Sequence, residues 1–353
     1  MIIKKVVFIV NPISGTKGKE AILKQIESSL DKNKYTYEIK KTEYAGHAAI
    51  LAEQAAKDGI DIVVAIGGDG TVNEVARSLT HTNTALGIIP CGSGNGLARH
   101  LQISMEAKKA IDIINKGVVE SVDYGKINGL PFFCTCGVGF DAFISAKFAQ
   151  AGKRGPLTYL ENTLREGVRY KPETYEIEDE AGTHKYKAFL IACANASQYG
   201  NNAYIAPNAS MSDGLMDVTV MEPFNMLEAT AIALQLFTKT IEKNSCIKSF
   251  RCKKLTIHRS KPGVIHYDGD PVMSDADVEV EMISGGLKVI VNTEAKPMVF
   301  NFVKTFFEYV NLDAFHTEVI DKVRSEIVRT NRKILILNRD ILRKLTKQQN
   351  KQQ

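Results

Sequence analysis

The chain has 353 residues, with 45 Lys and Arg against 40 Asp and Glu for a formal charge of +5, and it is 44% hydrophobic and 24% charged. These proportions belong to an ordinary globular protein long enough for two domains, which excludes large-scale disorder. No apolar run reaches the roughly 20 residues of a bilayer-spanning helix, and six cysteines without a C-x-x-C pair offer neither a disulfide framework nor a zinc set.

The opening MIIKKVVFIVNP reads as a strand rather than a cleavable leader, so a cytoplasmic protein is expected. Residues 6–10, 35–39, 62–66 and 85–89 read as strands, and 19–30, 47–57, 71–79 and 105–115 as helices, from apolar runs and helical spacing respectively. Alternating strands and helices imply a mostly parallel sheet wrapped by helices, with ligands beyond the carboxyl ends of the strands.

Three loops at those ends are rich in small residues: NPISGTKGK, GGDGTVNE and PCGSGNGLAR. Glycines at a strand-to-helix corner let a ligand approach backbone N–H groups, and the new helix offers unpaired donors to phosphate. A carboxylate at Asp69 repels phosphate unless a cation lies between. Magnesium would resolve that conflict, while a tight turn with Asp69 capping its helix is the plainer alternative. Hydroxyls of Ser14, Thr71 and Ser93 would line the same nucleotide crevice. No G-x-x-x-x-G-K-[ST] is present, and Gly92-x-Gly94-x-Gly96 lacks the dinucleotide spacing.

Beyond residue 122 the pattern changes to short strands. Residues 122–126 and 132–136 flank Asn128-Gly129, a hairpin signal, and 187–194, 218–221, 255–258, 265–267, 278–282 and 287–291 follow, with helices at 156–168 and 225–236. This reads as an antiparallel β-rich second domain of sandwich type. In the tail, Phe300, Val303, Phe307 and Val310 share a helical face, and Ile334, Leu335, Leu337, Ile341, Leu342 and Leu345 lie among basic residues. Docking on anionic lipid and packing within the chain or against a second copy in a homodimer are both open. No recognised motif supports nucleic-acid binding. Lys153 and Arg154 suit a lipid headgroup or a solvated loop equally, and His47 is assigned no catalysis.

Ordered motifs from residue 11 to 270 resemble the diacylglycerol kinase catalytic family, particularly soluble bacterial lipid kinases and less directly sphingosine and ceramide kinases. The NPxSG opening is carried by Asn11, Pro12, Ser14 and Gly15, the T…GHA motif by Thr42, Gly46, His47 and Ala48, and GGDGTxNE by Gly67 to Glu74. Pro90, Gly92, Ser93 and Asn95 match P-x-G-[ST]-x-N, and Gly137, Gly139, Phe140, Asp141 and Ala142 match G-x-G-F-D-A. Ala206, Pro207, Ala209, Asp213 and Gly214 match AP-x-A-x-x-x-DG, and the DGE triplet becomes Asp268, Gly269 and Asp270.

The resemblance implies an α/β nucleotide-binding domain at 1–122 and 294–312, a β-rich lipid-substrate domain at 123–293, and a helical basic extension at 313–353. It implies ATP held by Asn11, Ser14, Gly15, Thr42, Gly67, Gly68, Asp69, Gly70, Thr71, Val72, Asn73, Glu74, Gly92, Ser93 and Asn95. Mg²⁺ would be organised by Asp69 with Asp123, and a structural Mg²⁺ by Asp213 with main-chain oxygens of Ser210 and Leu215. Asp270 would be the general base, oriented by Asp268, in phosphoryl transfer from ATP to a lipid hydroxyl, diacylglycerol first and a sphingoid base as the alternative acceptor, at a peripheral membrane surface.

Two departures stand out. Asp270 is one methylene shorter than the family's glutamate, so its reach to a hydroxyl proton is reduced. Gly96-Leu97 stands where many bacterial members have Asp-Phe, as in the long-chain-base kinases. Nicotinamide-dinucleotide kinases share the glycine-aspartate loop, but the NPxSG and PCGSGN segments favour a lipid acceptor. A non-catalytic nucleotide-binding regulator at the membrane is the reading from a different class.

Overall fold

The computed structural model describes residues 3–13, 18–151, 167 and 170–295. The expected helix at 156–168, apart from residue 167, the return segment beyond residue 295 and the 313–353 extension lie outside the described residues. Strand β1 (Lys4–Val10) pairs in parallel with β2 (Tyr35–Lys41) and β3 (Ile62–Gly67), and β3 with β4 (Ala85–Pro90). Every residue of β3 and β4 is buried, which is why neither shows polar alternation. Helices α1 (Lys19–Ser29), α2 (His47–Lys57), α3 (Asp69–Leu79), the short α4 (Gly96–His100) and α5 (Ala107–Lys116) accompany this sheet. The Val72, Val75, Ala76 and Leu79 series of α3 enters the core with the strands, as its 3.6-residue spacing requires.

The second half begins with β5 (Val119–Ile127), β6 (Leu130–Phe132), β7 (Thr135–Gly139) and helix α6 (Phe140–Ala151). It continues through β8 (Glu173–Asp179), β9 (Gly182–Ala188), β10 (Leu190–Ala194), β11 (Met216–Met221), a helix at Met226–Thr238, β12 (Ile247–Cys252), β13 (Lys254–Arg259), β14 (Gly263–Tyr267), β15 (Asp270–Ser274) and β16 (Asp277–Ile290). An antiparallel six-stranded sheet runs β12-β11-β10-β7-β14-β15. Ile191, Val218 and Ile265 from this sheet share a buried core with Ile177, Ile257 and Val280 from β8, β13 and β16. That is a sandwich, each sheet contributing its inward-facing alternate residues.

The two regions are not separate sheets. The parallel strands continue through β4 into β16 and on to β13, β8 and β9, with β5 paired to β16. Residues 278–282 and 287–291, read as two strands, are one: the register against β5 shifts between Ile283 and Leu287, so the Ser284-Gly285-Gly286 stretch is a bulge rather than a turn. A Cβ on Gly286 would lie 2.4 Å from the Tyr124 ring. Conversely, residues 187–194 are two strands. The chain passes from one sheet to the other at Phe189, whose N–H donates to the Met221 carbonyl (2.7 Å). The Asn128-Gly129 turn has φ of +46° and +80°, the two left-handed residues of a type I′ hairpin. All six cysteines are free and buried. No helix among the described residues is long and apolar enough to cross a membrane.

Candidate active site

The loops at the carboxyl ends of β1, β3 and β4 brace one another. Asp69, the first residue of α3, accepts the N–H groups of Asn95 (2.8 Å) and Gly96 (2.6 Å), so it caps α4 rather than its own helix. The glycines permit this contact: a Cβ on Gly92 would lie 2.6 Å from Gly68 Cα, one on Gly94 2.7 Å from Asp69 Oδ2, and one on Gly67 2.5 Å from Thr71 Cβ. Gly70 differs. Nothing lies within 4 Å of its Cβ position and it is exposed, so a ligand can reach the start of α3 there, where free N–H donors and the positive end of the helix dipole favour phosphate.

Most of the expected nucleotide side chains build this frame. Asn95, at φ +51°, accepts from Gly92 N–H (2.9 Å) and donates to Gly92 O (2.7 Å). Asn11 donates to Thr71 Oγ1 (3.1 Å) and accepts from Ile13 N–H (3.0 Å), joining the first loop to the second. Glu74 receives Gly46 N–H (3.0 Å) and Ala48 N–H (3.1 Å), one on each oxygen, and so caps α2. Thr42, Thr71, Val72 and Asn73 are buried, and Thr42 N–H donates to Val10 O (2.9 Å). Ser93 is exposed at the tip of its loop. Ser14 and Gly15 lie outside the described residues. His47 accepts Glu43 N–H on Nδ1 (3.1 Å) and serves the start of α2.

The Asp268-Gly269-Asp270 triplet is a hairpin turn. Asp268 and Gly269 have φ of +51° and +88°, and Tyr267 pairs with Asp270 to close β14 onto β15. The Asp268 carboxylate accepts N–H groups from Phe133 (2.8 Å), Cys134 (2.7 Å) and Thr135 (3.1 Å). Enclosure by protein pushes its pKa up to about 6, against the pull of those amides and of Arg77. Asp270 is different in kind: it is exposed, and its Oδ2 accepts from Arg77 Nη2 (3.1 Å). The Arg77 guanidinium carbon sits 4.9 Å from the centre of the Tyr267 ring, and its buried Nε meets no acceptor among the described residues.

Arg77 was not singled out from the sequence, although a signal for it exists. It follows Gly70 by seven residues on α3, hence lies on the same helix face about 10 Å away. That face joins the open end of the glycine loop to the exposed aspartate.

Two further carboxylates expected to hold metal are engaged by backbone amides. Asp123, 3% exposed, accepts Gly214 N–H and Gly285 N–H, both at 2.7 Å, and so ties the 213–215 turn to the β16 bulge. Asp213 accepts Leu215 N–H (3.1 Å) and pairs with Arg251 Nη2 (2.5 Å), whose Nε reaches Asp217 (3.3 Å). Ser210 Oγ lies 3.2 Å from Ser212 Oγ. Asp213 therefore has the Leu215 amide on one oxygen and Arg251 on the other. No group of three or more His, Cys, Asp or Glu side chains suited to a metal occurs among the described residues. Asp69 does fit a nucleotide-borne ion, since two amide contacts leave lone pairs on its oxygens, and Mg²⁺ held by phosphates and water needs only one or two carboxylates.

Residues 5–127 match the family described as diacylglycerol kinase catalytic domain, and residues 134–291 match the YegS C-terminal NAD kinase beta sandwich-like domain. A Pectobacterium atrosepticum protein named "Probable lipid kinase YegS-like" is 30% identical over 61% of this chain and 74% of its own. The chain belongs to the diacylglycerol kinase catalytic-domain family. It is thus an enzyme of lipid-kinase type. A second member, named diacylglycerol kinase in Bacillus subtilis, is 27% identical over 76% of this chain and 90% of that one. The family fold is also that of a Bacillus anthracis diacylglycerol kinase crystal structure, with a TM-score of 0.64 at 21% identity over 83% of this chain and 98% of that one.

Proposed function

We propose that this kinase transfers the γ-phosphate of ATP, bound as its Mg²⁺ complex, to a lipid hydroxyl, with diacylglycerol as acceptor and phosphatidic acid as product. The observation that carries the reading is the single face of α3 that begins at open Gly70 and ends at Arg77 on Asp270. Phosphate placed at the helix start receives backbone N–H groups in fixed orientation. Mg²⁺ on the nucleotide offsets charge on the transferring group. Asp270 accepts the acceptor hydroxyl proton, and Arg77 aims that carboxylate. Asp268 acts through the backbone, holding the hairpin against residues 133–135. A lipid acceptor places the enzyme at a membrane surface on the ATP-containing, cytoplasmic side.

The test is incubation with γ-labelled ATP and Mg²⁺ over a panel including diacylglycerol and dihydrosphingosine, with Asp270→Ala in parallel. Label on diacylglycerol that vanishes in the variant is expected. Label on dihydrosphingosine alone would move the acceptor assignment, and ATP binding without any labelled lipid would remove the kinase reading in favour of a regulator.

A further inference from the structure

A cavity of about 300 Å³ lies where α4 and the turn after it meet the segment following β10, apart from the face of α3 described above. Arg99, His100, Gln102, Gln198, Tyr204 and Lys239 line it, and no acidic side chain does. Its donors are held in place but lack counter-charges. Arg99 Nε donates to Gly94 O (2.9 Å), which orients the guanidinium and leaves its two Nη groups for another acceptor. Lys239 Nζ stands 4.4 Å from the centre of the Tyr204 ring and pairs with no carboxylate among the described residues.

His100 Nδ1 accepts Ser197 N–H (3.1 Å), so the ring proton of the neutral form is on Nε2. Burial, then Lys239, lowers the His100 pKa to about 4, which keeps it a neutral donor near pH 7. Gln198 is 1% exposed. Its Oε1 accepts Asn202 N–H (3.0 Å), which turns Nε2 toward the Tyr204 hydroxyl on the cavity wall.

We propose that this cavity binds a phosphate group carried on a small ester or on a lipid headgroup. A tetrahedral phosphate presents several acceptor oxygens at once, which suits two separate cations and an amide donor better than one planar carboxylate. The volume leaves space for a glycerol-sized substituent. Because Arg99 also holds Gly94 O, and Asp69 holds the adjoining Asn95 and Gly96 amides, occupancy bears directly on the frame of the nucleotide loops. The proposal does not rest on the kinase reading, since binding is measured without nucleotide.

The full chain is titrated calorimetrically with inorganic phosphate and with glycerol 3-phosphate at constant ionic strength, and sedimented with phosphatidylcholine vesicles with and without phosphatidic acid. Saturable binding is expected, weakened about tenfold or more in Lys239→Met, the loss of one charge-assisted contact, and restored in Lys239→Arg. Gln198→Leu removes an amide donor without touching charge and weakens binding as well. Binding of the soluble esters assigns a free phosphate ester. Lys239-dependent sedimentation confined to phosphatidic acid vesicles assigns the headgroup. No saturable binding of either kind, or equal binding by wild type, Lys239→Met and Gln198→Leu, overturns the proposal.

Discussion

The glycine loops and the Asp268–Asp270 hairpin use carboxylates in opposite ways. In the loops, Asp69 and Glu74 are both occupied by backbone amides, and what faces solvent is main chain at Gly70. In the hairpin, Asp268 is occupied by three amides while Asp270, two residues on, remains exposed with Arg77. One region offers a shape and the other a single chemical group. Loss of shape and loss of the group should therefore be separable by experiment.

The largest separation is expected from Asp270→Ala: kcat falls about 10²- to 10⁴-fold, the range for a lost general base, while the melting temperature stays at the wild-type value. Steady-state kinetics beside a thermal melt check it, and a lowered melting temperature would place Asp270 in the frame instead. The loops should fail in the other manner. Gly92→Ala brings a Cβ to 2.6 Å from Gly68 Cα, parting the two loops, raising KM for ATP and lowering stability by about 1–3 kcal/mol, read by urea denaturation.

Gly70→Ala sharpens the contrast, because its Cβ meets open space. Stability should rise by about 0.5–1 kcal/mol, as alanine improves a helix, while KM for ATP increases. A smaller effect belongs to the link between the regions: Arg77→Gln lowers kcat about tenfold with KM for ATP unchanged, and Arg77→Lys recovers part of it.

Two groups give pH signatures of opposite sign. Asp268 has a folded pKa of about 6 against an ordinary 3.8, so between those values the folded protein holds a proton that the unfolded chain releases. Its contribution to stability is complete below 3.8 and is lost as pH rises through 6. His100, lowered from 6.5 to about 4, contributes stability above 6.5 that is lost as pH falls through 4. Urea midpoints from pH 4 to 7 for Asp268→Asn and His100→Gln, each against wild type, should show difference slopes of opposite direction. The smallest expected effect is none: chelation of Mg²⁺ stops turnover but leaves the melting temperature unmoved, because Arg251 already pairs with Asp213. A drop on chelation would reveal a structural ion.

The first half of the fold was legible because its strands are continuously apolar and its helices keep a 3.6-residue period. Helix α4 escaped because five residues are too few to show periodicity. Strand β8, ETYEIED, buries only Tyr175 and Ile177 among charged neighbours, too little for an apolar run. The bulge in β16 was hidden because Ser284-Gly285-Gly286 carries the local chemistry of a turn, and only pairing with β5 overrides it. At the site, residue types marked the loops well, but not which side chains would be consumed by backbone amides. The Asp268-Gly269 pair carried a hairpin signal that the catalytic motif overshadowed. The Arg77–Asp270 contact spans 193 positions and has no local trace.

The ribbon of β5 and β16 has a mechanical consequence. Val122 and Leu287 lie in the core of the nucleotide region, whereas Ile127 and Val280 lie in that of the sandwich, so the same two strands are cemented at both ends. A free hinge would have to shear a ladder of inter-strand bonds. The compliant spot is the bulge at Gly285, φ +61°, pinned by Asp123. Relative motion of the halves should therefore be torsional, a few degrees of added twist, since bulges already raise strand twist locally. Amide hydrogens along the ribbon would then exchange slowly on both sides of the bulge.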